Sequence, residues 1–145
     1  MATNVTQCIY CEDDGGSLLY RDALLRVVLT DEPFTGFCRV IWNEHITEFS
    51  DLLKEERYHC VDVLSVTEMI LREILMPIKI NIASLGNVTP HLHWHVIPRF
   101  ADDTHFPQPI WGVAQRLTQA RRLPAQFGDQ FAVTMNAKMK EDNQK

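Results

Sequence analysis

The segment Pro90-His91-Leu92-His93-Trp94-His95-Val96-Ile97-Pro98 sets three imidazoles in strict alternation with apolar side chains. Its two prolines disfavour helical geometry in the residues before them, Thr89 and Ile97. In a helix His91 and His95 would share a face and His93 would point nearly opposite. In a strand all three project on one face, each ~6.6 Å from the next, while Leu92, Trp94 and Val96 turn toward a core. The segment reads as a strand carrying a row of titratable rings.

Outward from it, the chain alternates short β-prone runs with one long helical pattern. Ser17 to Tyr20 and Leu24 to Thr30 read as paired strands, and Phe37 to Trp42 as a third. Asp31 to Gly36, punctuated by Pro33 and Gly36, is a loop. Ser50 is placed to cap a helix over about Asp51 to Leu75, with Val63, Val66, Ile70 and Ile74 at helical spacing and Pro77 as the stop. Ile78 to Ser84 is a further strand, and Gly86-Asn87 opens the loop to the histidine strand. After it Pro98, Pro107 and Pro109 keep the chain irregular, and the tail beyond about Asp129 is expected to be partly unordered. Antiparallel strands around a long helix make an α+β domain.

The 145 residues suffice for one domain with a sizeable core. A net charge of -5 argues against a general binder of nucleic acid or of anionic membranes. No apolar run approaches the ~20 residues needed to span a bilayer. Residues 1–7 lack the basic start and apolar run of a leader, so a cytoplasmic protein is expected. The four cysteines are then reduced thiols or metal ligands rather than disulfides. Cys8-x-x-Cys11 is half of a zinc site by spacing; Cys38 and Cys60 read as small packed residues.

Imidazole suits attack on phosphorus near neutral pH, because with a reference pKa of ~6.5 much of it is unprotonated. A phosphorus–nitrogen adduct is readily reversed and can pass its group onward. Neighbouring rings supply protons or hydrogen bonds to phosphate oxygens. Another reading stays open here: a metal ion held by i, i+2 histidines on the strand. His59 reads as a helix residue that is solvated or caps its neighbours, and His105 as a loop residue at a rim. Arg99 reads as half of an exposed salt bridge, and Trp42, Trp94 and Trp111 as core or dimer packing.

His91 to Ile97, followed by Pro98-Arg99, resembles the signature of the histidine triad (HIT) superfamily, His-apolar-His-apolar-His-apolar-apolar. Gly36 to His45 is similar to that family's strand ending in a fourth histidine, and Cys8-Ile9-Tyr10-Cys11 to the opening of many members. The resemblance implies a HIT-like antiparallel sheet of about five strands with one long and one short helix, joined to a second sheet across a homodimer. It implies a HIT domain over 1–110, with 111–145 as a partly irregular C-terminal extension. The implied activity is that of a nucleotidyl hydrolase or transferase. It would cleave at the α-phosphate of purine nucleoside phosphoramidates or dinucleoside polyphosphates, through a nucleotidyl-histidine intermediate and with no cofactor in catalysis.

Carried over by position, the resemblance makes His93 the nucleophile and His95 the phosphate-binding helper of the leaving group. His91 and His45 orient and polarise the others. Asn81, Asn87, Thr89, Leu29, Asp31 and Phe34 are the implied contacts to an AMP-type purine nucleotide. Cys8, Cys11, His45 and His91 are the implied ligands of a structural zinc. Val88 stands where many members carry Ser or Thr, three residues before the first triad histidine, and this departure keeps open a nucleotide-binding regulatory or interaction protein with little turnover.

Overall fold

The computed structural model describes residues 7–144, so the leader reading of residues 1–6 lies outside the described residues. A single turn of helix, α1 (Ile9–Glu12), precedes strands β1 (Ser17–Arg21), β2 (Leu25–Leu29) and β3 (Cys38–Trp42). The long helix α2 (Lys54–Leu75) leads to β4 (Lys79–Ala83) and β5 (His93–Arg99), and α3 (Phe127–Asp142) ends the fold. The strands form one antiparallel sheet in the order β1-β2-β3-β5-β4. This is the α+β, five-stranded architecture that the sequence leads one to expect.

The register sorts side chains onto two faces. Leu25, Val27, Val40, Trp94 and Val96 enter a core with Val63, Ile70 and Leu71 of α2. On the other face His93 lies opposite Ile41 and His95 opposite Arg39, while Arg26 and Val28 of β2 lie opposite Ile41 and Arg39. There Cys8, Tyr10, Val28 and Ile41 make a small second cluster. Helices therefore cover one face of the sheet and leave the histidine face to the N-terminal turn and to the chain after β5.

Three sequence expectations change. Pro98 lies inside β5, opposite Ile80. The Arg99 carbonyl accepts from Ile78 N–H, so the groups of Pro98 point away from β4. On that side β3 reaches no further than Cys38 opposite Val96, and the missing N–H breaks no ladder bond. Helix α2 starts at Lys54 rather than Asp51, after a 3₁₀ turn over Phe49–Asp51, and the Glu56 carboxylate accepts from Leu53 N–H at 2.7 Å. The tail is not unordered: α3 buries Phe127, Phe131, Met135 and Met139 in the main core. These four recur one per helical turn, and α3 packs on both α2 and β1.

At the start of β3 the chain passes close to α2 in a backbone conformation that side chains rarely adopt. Gly36 has φ +76°, and a Cβ there would overlap Leu75 Cδ1 and press on Pro98.

Candidate active site

Backbone carbonyls aim the histidine rings. The three are almost wholly buried, with exposures of 0% for His91, 5% for His93 and 7% for His95. His93 Nδ1–H donates to the His91 carbonyl at 2.6 Å. Because a carbonyl only accepts, this bond fixes the proton on Nδ1 and leaves the lone pair on Nε2. His91 Nε2–H donates to the Trp42 carbonyl at 2.6 Å, which leaves its lone pair on Nδ1. Burial lowers the proton affinity of all three rings. For His95, desolvation first, then the charges of His93 and Arg39, bring the pKa down to about 4.

The four histidines fall into two pairs. The His93 and His95 rings meet edge to face at 5.0 Å, with Tyr10 against His93 at 5.0 Å and Phe37 against His95 at 5.5 Å. The His91 and His45 rings meet at 5.2 Å and turn away toward α1. His91 Nδ1 lies 3.4 Å from Cys8 Sγ and 3.5 Å from Cys11 Sγ, and His45 Nδ1 lies 3.4 Å from Cys11 Sγ. One ligand atom from each of these four residues falls within a 4.8 Å span. Zinc bonds of ~2.0–2.3 Å place tetrahedral ligand atoms ~3.3–3.8 Å apart, so this donor set fits that ion. Among the described residues no third His, Cys, Asp or Glu joins His93 and His95 in such a group.

Arg26 holds α1 against the sheet. Its guanidinium, 3% exposed, donates to the carbonyls of Tyr10, Asp13 and Asp14 and to Asn43 Oδ1. It thus gathers the carbonyls at and just beyond the C-terminal end of that short turn, where a cation is favourable.

The chain after β5 covers the rest of the face. Arg99 is not the exposed ion pair expected of it; it is buried and donates to both oxygens of Asp103, to Asn81 Oδ1 at 2.9 Å and to the Gln108 carbonyl. Asp103 in turn accepts from the backbone N–H groups of His105 and Phe106. Trp111 is not core either. It is 53% exposed and lies edge-on to the His95 ring at 5.2 Å. Trp42 and Trp94 do enter the core. His105 packs on Phe34, with centroids 5.5 Å apart.

The implied nucleotide contacts are spread out. Asn81 lies on the histidine face beside Arg99. Leu29 and Asp31 line an open depression with Gly15 and Gly16, and Phe34 lines a second with Pro98 and Phe100. Thr89 lines a third with Cys8, Ile9 and His45; Asn87 is exposed on its loop, and Val88 is 96% exposed. Tyr10, Phe37, Arg39 and Trp111 adjoin the His93–His95 pair without having been picked out from the sequence as site residues. Register from β5 to β3 was the available signal for Arg39.

The model of the HIT domain family matches residues 14–102. The chain belongs to the HIT domain family. Among solved structures, a histidine triad protein from Bradyrhizobium japonicum is similar at 26% identity and TM-score 0.66, covering 86% of this chain and 91% of the other. A Zn-bound histidine triad family protein from Mycobacterium smegmatis shares the fold at 20% identity and TM-score 0.65, over 96% of this chain and 99% of that one. A protein named AP-4-A phosphorylase from Mycobacterium tuberculosis is 26% identical over 130 residues, 83% of this chain and 67% of its own. As a HIT family member the chain belongs with nucleotide-processing proteins. Among the described residues, no helix is long and apolar enough to cross a membrane.

Proposed function

We propose that this HIT protein is a nucleotidyl hydrolase or transferase, cleaving purine nucleoside phosphoramidates or dinucleoside polyphosphates at the α-phosphate. The observation that carries the proposal is the Nδ1–H bond from His93 to the His91 carbonyl, which leaves the Nε2 lone pair as nucleophile. Attack forms an Nε2–P bond as the bond from phosphorus to the leaving group breaks. His95, beside it, hydrogen-bonds the phosphoryl oxygens and so assists the leaving group, which takes its proton from solvent. Water, or phosphate as the name of the mycobacterial relative implies, then attacks phosphorus, gives up its proton to solvent and releases His93. Asn81, Asn87, Thr89, Leu29, Asp31 and Phe34 remain the proposed nucleotide contacts.

In the same proposal the catalytic contribution of His91 passes through its carbonyl. Its ring, with His45, Cys8 and Cys11, would hold a structural zinc that ties the N-terminal turn to the sheet. A homodimer joining two sheets also belongs to the proposal; β4 is an outer strand, with Ile82 exposed.

The test is a panel of adenosine phosphoramidates and dinucleoside polyphosphates, with water or phosphate as acceptor, on wild type and His93→Ala. Turnover should fall ~10³-fold or more in the variant, and an acid-labile nucleotidyl-enzyme should be trapped only in wild type. Full activity in His93→Ala would sink the mechanism. Tight AMP binding with no turnover of any substrate would leave a nucleotide-binding protein instead.

A further inference from the structure

Arg39 lies directly across the ladder from His95, on the histidine face of β3. Its Nε–H donates to His95 Nδ1 at 3.3 Å, while its Nη2 pairs with Glu32 at 3.2 Å. Its guanidinium lies over the Phe37 ring at 5.1 Å, and the edge contact between Phe37 and His95 fixes the same ring from another side. Arg39 is half-buried and has no other described role in the fold.

We propose that Arg39 is a positioning residue that sets the tautomer of His95, so that His95 presents Nε2–H to the phosphoryl group. An arginine has no acceptor, so the nitrogen facing it is the lone-pair nitrogen, and the single proton of the neutral ring goes to Nε2. The cation also opposes a second proton on His95, in the same direction as burial and His93. His95 therefore meets the substrate as a neutral donor, and the Glu32 carboxylate beyond Arg39 holds the guanidinium in register. The two imidazoles are set as opposites: His93 carries its proton on Nδ1 and offers Nε2 as nucleophile, and His95 carries its proton on Nε2 as donor. A backbone carbonyl sets the first and Arg39 the second.

This inference rests on the nucleotidyl-transfer reading of His93 and His95, but its primary readout does not need turnover. Long-range 1H–15N spectra of the histidine side chains report which nitrogen bears the proton, and His95→Gln identifies the His95 signals. Wild type should show His95 protonated on Nε2. Arg39→Met, which keeps the stem over Phe37 but has no donor, should show mixed tautomers at unchanged thermal midpoint. Arg39→Gln, whose amide is too short to reach, is the second variant if the first does not fold. Turnover of adenosine 5′-phosphoramidate should fall ~10–100-fold in kcat with a smaller change in KM, as for other residues that orient a reacting group. An unchanged tautomer in a folded Arg39 variant overturns the inference, and so does a lost tautomer with wild-type kcat. Wild-type protein inactive on every nucleotide, with the Arg39-dependent tautomer intact, would overturn the proposed function and leave the control of His95 by Arg39 standing.

Discussion

Two carbonyl oxygens, those of His91 and Trp42, decide what the histidine rings can do. Alternation in the sequence placed the rings on one face, because strand side chains have a period of two. It could not say which nitrogen of each ring faces outward, since the acceptors are backbone atoms brought there by the turn at His91 and the end of β3. His59 shows the same limit: the sequence reads it as solvated or capping its helix neighbours, yet its Nε2 meets Asp22 Oδ2, far away in the chain, at 2.6 Å. Burial raises the Asp22 carboxyl, but the bonds from His59, from the Leu25 and Leu24 N–H groups and from Tyr20 outweigh it, and its pKa falls to about 2. The bond to Asp22 raises the pKa of His59. Asp22 thus stabilises the fold fully above the unfolded carboxyl value of ~3.9, and this contribution is lost as pH falls through about 2. The His59 contribution is complete below ~6.5 and fades as pH rises through its raised folded value. Asp22→Asn keeps the acceptor for the Leu24 and Leu25 N–H groups and removes the charge. Urea unfolding should therefore show the variant less stable by ~1–2 kcal/mol between pH ~4 and ~6.5, with the gap closing on either side. A gap that does not vary with pH would mean the pair is not ionic.

At the scale of elements, the strands and α2 were legible because each shows its own hydrophobic period, while α3 was passed over. Its buried residues are Phe127, Phe131, Met135 and Met139, one in four, within a run otherwise of small, polar and charged residues and the exposed Val133. A stripe that narrow leaves the average composition that of a solvated tail, although a strict four-residue spacing is itself a helical signal. Phe131 is fully buried in the core shared with α2 and β1. Phe131→Ala should cost ~3–5 kcal/mol, read as a lower denaturant midpoint at unchanged slope. A loss below ~1 kcal/mol would mean that α3 is not part of the folding unit. The segment after β5 was illegible for a different reason. It has no periodicity, and its form comes from Arg99 and Asp103, a charged pair that sequence alone would place at the surface.

Across the whole molecule the sheet separates stability from chemistry. One face meets two helices; the other carries the proposed catalytic pair and, beside it, a four-residue donor set. Sequence spacing offered Cys8-x-x-Cys11, and the resemblance supplied His45 and His91. Only the folded chain shows that the ring of His91 turns to the sulfurs while its carbonyl turns to His93. His91 is therefore the joint between the two halves, and the halves should respond differently to metal. If zinc fills the donor set, its binding energy is folding energy, because the unfolded chain has no such site. Chelator treatment and Cys11→Ser should then both lower the thermal midpoint by several degrees and release about one zinc per chain, measured by elemental analysis. Below that midpoint, turnover in the chelated protein should stay within about tenfold of wild type, because the proposed chemistry at His93 and His95 uses no metal ligand. Loss of turnover in step with zinc, at temperatures where circular dichroism shows the chain folded, would move the metal into the reaction and refute the division. A midpoint indifferent to both chelator and Cys11→Ser would remove zinc from the fold.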